Sequence, residues 1–145
     1  MSFQTLTLEI DNHVATITLN RPEMMNAFSE QLIWEMGEAT KTVKDDSQIR
    51  VLVITGEGRG FTAGADLSER DASWSDTKDA LERGYYPFLK NIIDMPKPVI
   101  GSINGAAAGI GAAVAMACDL RIMAKEAYIM SVFSNIALVP DGGLS

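Results

Sequence analysis

PVIGSINGAAAGIGAAVAMAC, residues 98–118, decides the fold. It carries no charge over 21 positions, long enough to cross a bilayer as one helix. Four glycines, Pro98, Ser102 and Asn104 argue against that. The Asn104–Gly105 pair divides the stretch into a β-branched run, VIGSI, and an alanine-rich run. A buried strand, a turn and a buried helix from Gly109 to Cys118 fit better than a membrane span.

The flanking sequence supplies matching elements. Residues 5–10 (TLTLEI) and 14–19 (VATITL) alternate with period two, and Asp11 and Asn12 between them form the turn of a β-hairpin. From Glu30 to Lys44 the apolar residues Leu32, Ile33, Met36, Ala39 and Val43 recur at helical spacing, with Ser29 as N-cap. VLVIT (51–55) is a short apolar strand suited to the inside of a sheet. Residues 68–76 are a polar, mobile connection, and a helix over 77–95 is stopped by Pro96 and Pro98. LRIMA (120–124) and AYIM (127–130) read as further strands and the remainder as loop. Strands separated by helices imply an α/β fold with parallel pairing.

Composition removes several function classes. A chain of 145 residues suits one domain with a substantial core. The formal charge of −7, with no basic cluster, argues against a nucleic-acid surface. The one cysteine, Cys118, sits among apolar residues as an inert buried thiol. The one histidine, His13, lies in a polar turn, which leaves little for a Ser–His–Asp triad or a histidine metal site. No metal site and no cofactor are expected. MSFQTLTLEI has no basic region followed by an apolar run, so a cytoplasmic, non-membrane location is expected.

GFTAGADL (60–67) and NGAAAGIGAA (104–113) share one design. Each follows a buried strand and is nearly stripped of side chains. The second opens a helix, whose first N–H groups lack partners and carry partial positive charge. If the two strands are neighbours, both turns emerge at one sheet edge, and an amide from each could meet on one oxygen that gains negative charge. Close packing of a helix on a sheet is the simpler use of such glycines. Dinucleotide binding fits poorly, because the glycine spacing and a following acid are wrong, and no GxxxxGK[ST] is present.

RPEMMNAFS, GFTAGADL, the KPVIGSINGAAAGIGAAVAMACDLRIMA run and LVPDGG, in this order, resemble the enoyl-CoA hydratase/isomerase (crotonase) superfamily from about residue 5 to the last residue. The resemblance implies a spiral of repeated strand–strand–helix units, acyl-CoA thioester substrates with coenzyme A as part of the substrate, and homo-oligomers, trimers or hexamers, of full-length chains. Family members are longer, so residues 1–145 correspond to the N-terminal core domain without its C-terminal part. The resemblance assigns the thioester oxygen to the backbone amides of Ala65 and Ile110. It assigns adenine-side contacts to the main chain around Ala63, Asp66 and Leu67 and to the loop near Met24 and Ala27.

The two glutamates of the hydratases have no counterpart: Ala113 and Phe133 stand at those positions. Asp141 in LVPDGG resembles the acid/base of an isomerase subgroup that includes ring-epoxide and double-bond isomerases, although P-D-G is also a common turn signature. One carboxylate suffices to move a proton between two carbons of an acyl group. Burial among Phe133, Leu138 and Val139 would raise its pKa. Asp66 reads as turn-shaping and Asp119 as structural, paired with Arg121; Glu126 has no motif behind it. A hydratase using another acid, or a non-catalytic acyl-CoA binding module, are the alternatives.

Overall fold

The computed structural model describes residues 2–69, 73–132 and 142–143. Strands β1 (Leu6–Asp11) and β2 (Val14–Leu19) form the expected antiparallel hairpin, in register from Leu6↔Leu19 to Asp11↔Val14. Its loop is Asn12–His13 rather than Asp11–Asn12. Both loop residues have positive φ, 46° and 69°, the sign that lets a two-residue turn follow the strand twist. Asp11 instead closes the ladder.

Helix α1 (Glu30–Asp45) starts where Ser29 Oγ accepts the Leu32 amide at 3.2 Å. It buries the stripe read from the sequence: Leu32, Ile33, Met36, Ala39 and Val43. β3 (Val51–Gly56) pairs parallel to β2 and lies inside the sheet. The expected helix over 77–95 is composite: α2 (Thr77–Asp79), a π-helical segment Ala80–Tyr85, and α3 (Tyr86–Ile93). Pro87 has no N–H, and its ring would clash with the Arg83 carbonyl in a regular helix. The wider turn, in which Tyr86 N–H donates to the Leu81 carbonyl, accommodates it.

β4 (Val99–Ile103), β5 (Ala106–Ala108), α4 (Ile110–Ala117), β6 (Leu120–Met123) and β7 (Tyr128–Met130) follow. The main sheet has the order β1-β2-β3-β4-β6 and is parallel apart from the hairpin. β5 pairs parallel with β7 in a second, two-stranded sheet. Single bridges, Thr62↔Ala107 and Phe28↔Ala65, carry this second layer toward α1. β5 was not expected: three alanines have little strand propensity of their own, and their partners come from distant segments. Among the described residues no helix is long and apolar enough to cross a membrane. Residues 98–118 are strand, turn, short strand and buried helix, as the interruptions imply.

The core lies between the sheet and the helices. It is built from Ile17, Leu19, Leu52 and Ile54 of the strands, Leu32 and Met36 of α1, and Phe28, Phe61 and Phe88. Phe28 and Phe88 stack with centroids 5.5 Å apart. β6 is an edge strand, and Leu120 and Ile122 on it are exposed.

Glu35 is the charged residue the core tolerates. Its carboxylate, on α1, accepts from the amides of Gln4 and Thr5 (both 2.8 Å), the Thr5 hydroxyl (2.6 Å) and the Gln31 amide (2.8 Å). Burial opposes ionisation, but these bonds together hold the carboxyl below its ordinary value. A carboxyl with a depressed folded-state pKa contributes stability above its unfolded value, and loses it as pH falls through the folded one. Unfolding stability is therefore expected to fall as pH drops below about 4.3, the ordinary glutamate value. Glu35→Gln should show a shallower fall in urea titrations at stepped pH, together with lower stability at pH 7.

Candidate active site

Two side-chain amides, one buried and one half-buried, prepare the site. Asn26 is fully buried with a left-handed backbone, φ 54°. Its side-chain oxygen accepts the Arg21 amide at 2.9 Å, and its nitrogen donates to the carbonyls of Glu57 and Gly60, both at 2.9 Å. Asn104 donates to the carbonyls of Gly58 (3.0 Å) and Gly60 (3.1 Å) and accepts the Gly56 amide at 3.2 Å. The loop after β3 is thus gripped from both sides. Gly105 completes the fit, since a Cβ there would lie 2.1 Å from the Arg59 carbonyl oxygen.

The chain then enters the stretch 61–66, and its amides can be accounted for one by one. Phe61 and Thr62 donate to the Ala106 carbonyl (3.1 and 3.0 Å) and Ala63 to the Met25 carbonyl (2.9 Å). Gly64 donates to its neighbour Thr62 Oγ1 (3.2 Å), and Asp66 to the Phe28 carbonyl (3.0 Å). Only Ala65 N–H in this run donates to no described acceptor. Phe28 bridges the groups of Gly64 and Asp66, so Ala65 points its N–H to the other side, as alternation along an extended chain requires.

The second turn leaves a matching vacancy in the hydrogen-bond pattern. Gly109 N–H donates to the Met130 carbonyl (3.1 Å), and Ala112 and Ala113 donate to the Gly109 carbonyl (2.9 and 3.4 Å). Ile110, the first residue of α4, donates to no described acceptor, as expected at a helix start. The turns touch. A Cβ on Gly64 (φ 98°) would lie 2.8 Å from the Ala108 carbonyl oxygen and 3.7 Å from Gly109 Cα. One on Gly111 would lie 2.5 Å from Thr62 Cγ2. Ala65 and Ile110 line one cavity of about 440 Å³.

Ala63, Asp66 and Leu67 line the same cavity, whereas Met24 and Ala27 do not. Ala27 is buried, and its carbonyl accepts from Arg21 Nη1. Asp66 does shape its turn, accepting the Ser68 amide (3.1 Å) and hydroxyl (2.6 Å), and it also pairs with Arg21 Nη2 at 3.0 Å. The Ser68 hydroxyl, followed by Arg21, holds its carboxyl below the usual range against the opposing effect of burial. A carboxylate so fully engaged is a poor proton acceptor. Asp141 and Phe133 lie outside the described residues. Ala113 is buried, and a Cβ on Gly142 would sit 2.8 Å from its methyl and 2.6 Å from Ile110 Cδ1.

The expected Asp119–Arg121 pair does not form among the described residues. Asp119 accepts the Val99 amide at 2.8 Å, and Arg121 donates to the carbonyls of Ala115, Met116 and Cys118 at the end of α4. A cation there satisfies orphan carbonyls and meets the negative helix end, which a neighbouring carboxylate cannot offer. Burial pushes the Cys118 thiol up to about 12, in keeping with an inert group. His13 is exposed and bonded to the Gln48 carbonyl, and Glu126 is exposed, away from the cavity lining.

The enoyl-CoA hydratase/isomerase family model matches residues 9–145. The chain belongs to the enoyl-CoA hydratase/isomerase family. It is 41% identical over 138 residues to the 1,2-epoxyphenylacetyl-CoA isomerase of Escherichia coli (strain K12), covering 92% of this chain and 53% of that protein. It is 35% identical over 148 residues to the trans-2-decenoyl-[acyl-carrier-protein] isomerase of Streptococcus mutans, covering 99% and 56%. The crystal structure of an enoyl-CoA hydratase from Mycobacterium avium subsp. paratuberculosis superposes with a TM-score of 0.85 at 30% identity, over 98% of this chain and 53% of that one. The chain spans about half the length of the curated relatives it matches. Its α/β architecture is that of the crotonase fold, as the motifs implied.

Asn26, Arg21 and the aromatic wall of the cavity were not singled out from sequence. RPEMMNAFS carried the first two, but nothing in its pattern says which polar side chain turns inward. Asn26→Ala removes three hydrogen bonds, so the Arg21 amide and the Glu57 carbonyl lose this partner while the Gly60 carbonyl keeps Asn104. It is expected to lower unfolding free energy by roughly 2–4 kcal/mol, measured by urea titration.

Proposed function

We propose that the protein is an acyl-CoA isomerase in which the amides of Ala65 and Ile110 stabilise a thioester enolate and Asp141 is the acid/base. What supports this is that Ala65 and Ile110, from separate turns, line one cavity and that neither amide donates to a described acceptor. A thioester α-proton is weakly acidic, so its removal needs help at the oxygen. One preorganised donor is worth ~3 kcal/mol in comparable acyl chemistry.

In this mechanism the Asp141 carboxylate takes a proton from one carbon of the acyl group. The electron pair moves into the conjugated system, with the negative charge on the thioester oxygen between the two amides. The protonated Asp141 then returns the proton to a different carbon, so nothing is consumed and coenzyme A leaves unchanged as part of the product. Ring-epoxide opening would use the same two devices. Support comes from Ala113, an apolar residue at one hydratase glutamate position, and from the likeness of LVPDGG to the isomerase subgroup. The printed names of the E. coli and S. mutans relatives are those of isomerases, whereas that of a Rhodobacter capsulatus relative, 40% identical, is a probable enoyl-CoA hydratase. We place the enzyme in the cytoplasm, as a homo-oligomer of longer chains; the exposed Leu120 and Ile122 on edge strand β6 support association.

Asp141→Asn is expected to lower turnover of a 3-enoyl-CoA by about 10²–10⁴ while its Kd for the same thioester changes little. Wild-type protein should consume a 3-enoyl-CoA without needing crotonyl-CoA hydration. Hydration of crotonyl-CoA with no conversion of the 3-enoyl thioester would contradict the assignment.

The amide of Ile110 can be deleted selectively. Ile110 is the first residue of α4, where proline is favoured. Ile110→Pro removes the donor, and Ile110→Ala removes comparable side-chain packing but keeps it. The proline variant is expected to have a kcat about 10²–10³ below that of the alanine variant, with similar melting temperatures.

A further inference from the structure

One side of the cavity is apolar: Phe28, Ile33, Trp74, Ala80, Leu81 and Tyr85 line it. Trp74 is the largest of these and is held from several directions. Its ring lies 5.3 Å from that of Trp34 at an angle of 34°. The Arg83 guanidinium sits 5.5 Å from its centre, within cation–π range. Gly84 lies beneath it, close enough that a Cβ there would come within 2.9 Å of Trp74 Cη2.

The remaining hold comes through Glu30. Ser73 donates its amide (2.8 Å) and its hydroxyl to the Glu30 carboxylate, and Trp34 Nε1 donates to the same group at 3.2 Å. The described end of the polar connection is therefore anchored. Glu30 sits in the first turn of α1, where the helix end favours negative charge. The Ser73 bonds hold its carboxyl below the usual range. This carboxylate faces neither Ala65 nor Ile110 through any hydrogen bond; its partners are the residues that fix Trp74.

We propose that Trp74 is the specificity-determining wall of the cavity, selecting acyl groups with an apolar end large enough to reach its indole, and that Glu30 is a positioning residue acting through Ser73 and Trp34. This rests on the acyl-CoA reading above. A pre-fixed indole offers a large apolar surface with no ordering cost at binding. Four acids, Glu30, Asp66, Glu69 and Asp76, also line the cavity; among the described residues only Asp66 of these is paired with an arginine, so an acyl group ending in a carboxylate is repelled.

Calorimetric Kd values for acetyl-CoA, octanoyl-CoA and phenylacetyl-CoA test this on the wild type, Trp74→Ala, Trp74→Phe and Glu30→Ala. The wild type is expected to prefer the two larger thioesters over acetyl-CoA. That preference should fall about tenfold in Trp74→Ala and less in Trp74→Phe, which also decides the matter if the alanine variant does not fold. Glu30→Ala should lower the preference several-fold and weaken the near-ultraviolet circular dichroism of the Trp34–Trp74 pair, with the far-ultraviolet spectrum unchanged. An unaltered preference in both Trp74 variants that still bind acetyl-CoA overturns the role of Trp74. An unaltered near-ultraviolet spectrum in Glu30→Ala overturns that of Glu30. A wild type that binds none of the three thioesters removes the acyl-CoA reading itself, and this inference with it.

Discussion

The contact between Gly64 and the Ala108–Gly109 peptide governs the rest of the structure. Two main chains meet there at a distance that leaves no room for a side chain: a methyl on Gly64 would fall 2.8 Å from a carbonyl oxygen. Both glycines have positive φ, so at Gly64 space and conformation exclude other residues together, and at Gly109 conformation alone favours glycine. The close approach brings the turn after β3 and the start of α4 onto one cavity. Neighbouring parallel strands β3 and β4 deliver the two turns to the same sheet edge, and the Thr62↔Ala107 bridge sets their register.

The amides of Ala65 and Ile110 donate to no acceptor among the described residues, and an amide without a partner is costly in a folded chain; the surroundings hold the turns in place. Every neighbouring amide from Phe61 to Asp66 is satisfied, so the turn has no alternative pairing into which Ala65 could relax. Asn26 and Asn104 fix the preceding loop through the shared Gly60 carbonyl. Arg21 joins Asp66 to the Ala27 carbonyl and ties the loop before α1 to the turn. These are polar networks whose members are all paired, the condition under which buried polar groups rigidify rather than destabilise a site. In the same cavity lining, Trp74 is held by its tilted contact with Trp34 and by Arg83, and the Glu30 carboxylate fixes its neighbours Ser73 and Trp34. The cavity thus joins the two turns that carry the amides of Ala65 and Ile110 to an apolar lining that includes Trp74.

Much of this was legible because strong local signals agreed with the tertiary structure. The alternation in β2, the α1 stripe with its Ser29 cap, and the split of residues 98–118 at Asn104–Gly105 each follow from period and turn chemistry. The two side-chain-poor turns marked the candidate site. What escaped depends on partners distant in sequence. β5 exists because Thr62 and β7 flank three alanines, and the π-helical segment arises from Pro87 meeting the packing of Gly84 under Trp74. The inward turn of Asn26 and the choice of Arg121 for helix carbonyls over Asp119 are settled by geometry that spacing does not encode. The hairpin loop moved by one residue because Asn12 and His13 both take left-handed conformations.

The central claim is that Ala65 and Ile110 donate to one oxygen of a thioester. Nitrogen-15 NMR of the uniformly labelled protein, titrated with acetyl-CoA, addresses it residue by residue. The two amide protons should move downfield together along one saturation curve, further than those of Ala63 and Asp66, which already have acceptors. Amides at 65 and 110 that stay in place while others shift, or that follow separate curves, would contradict a shared oxygen.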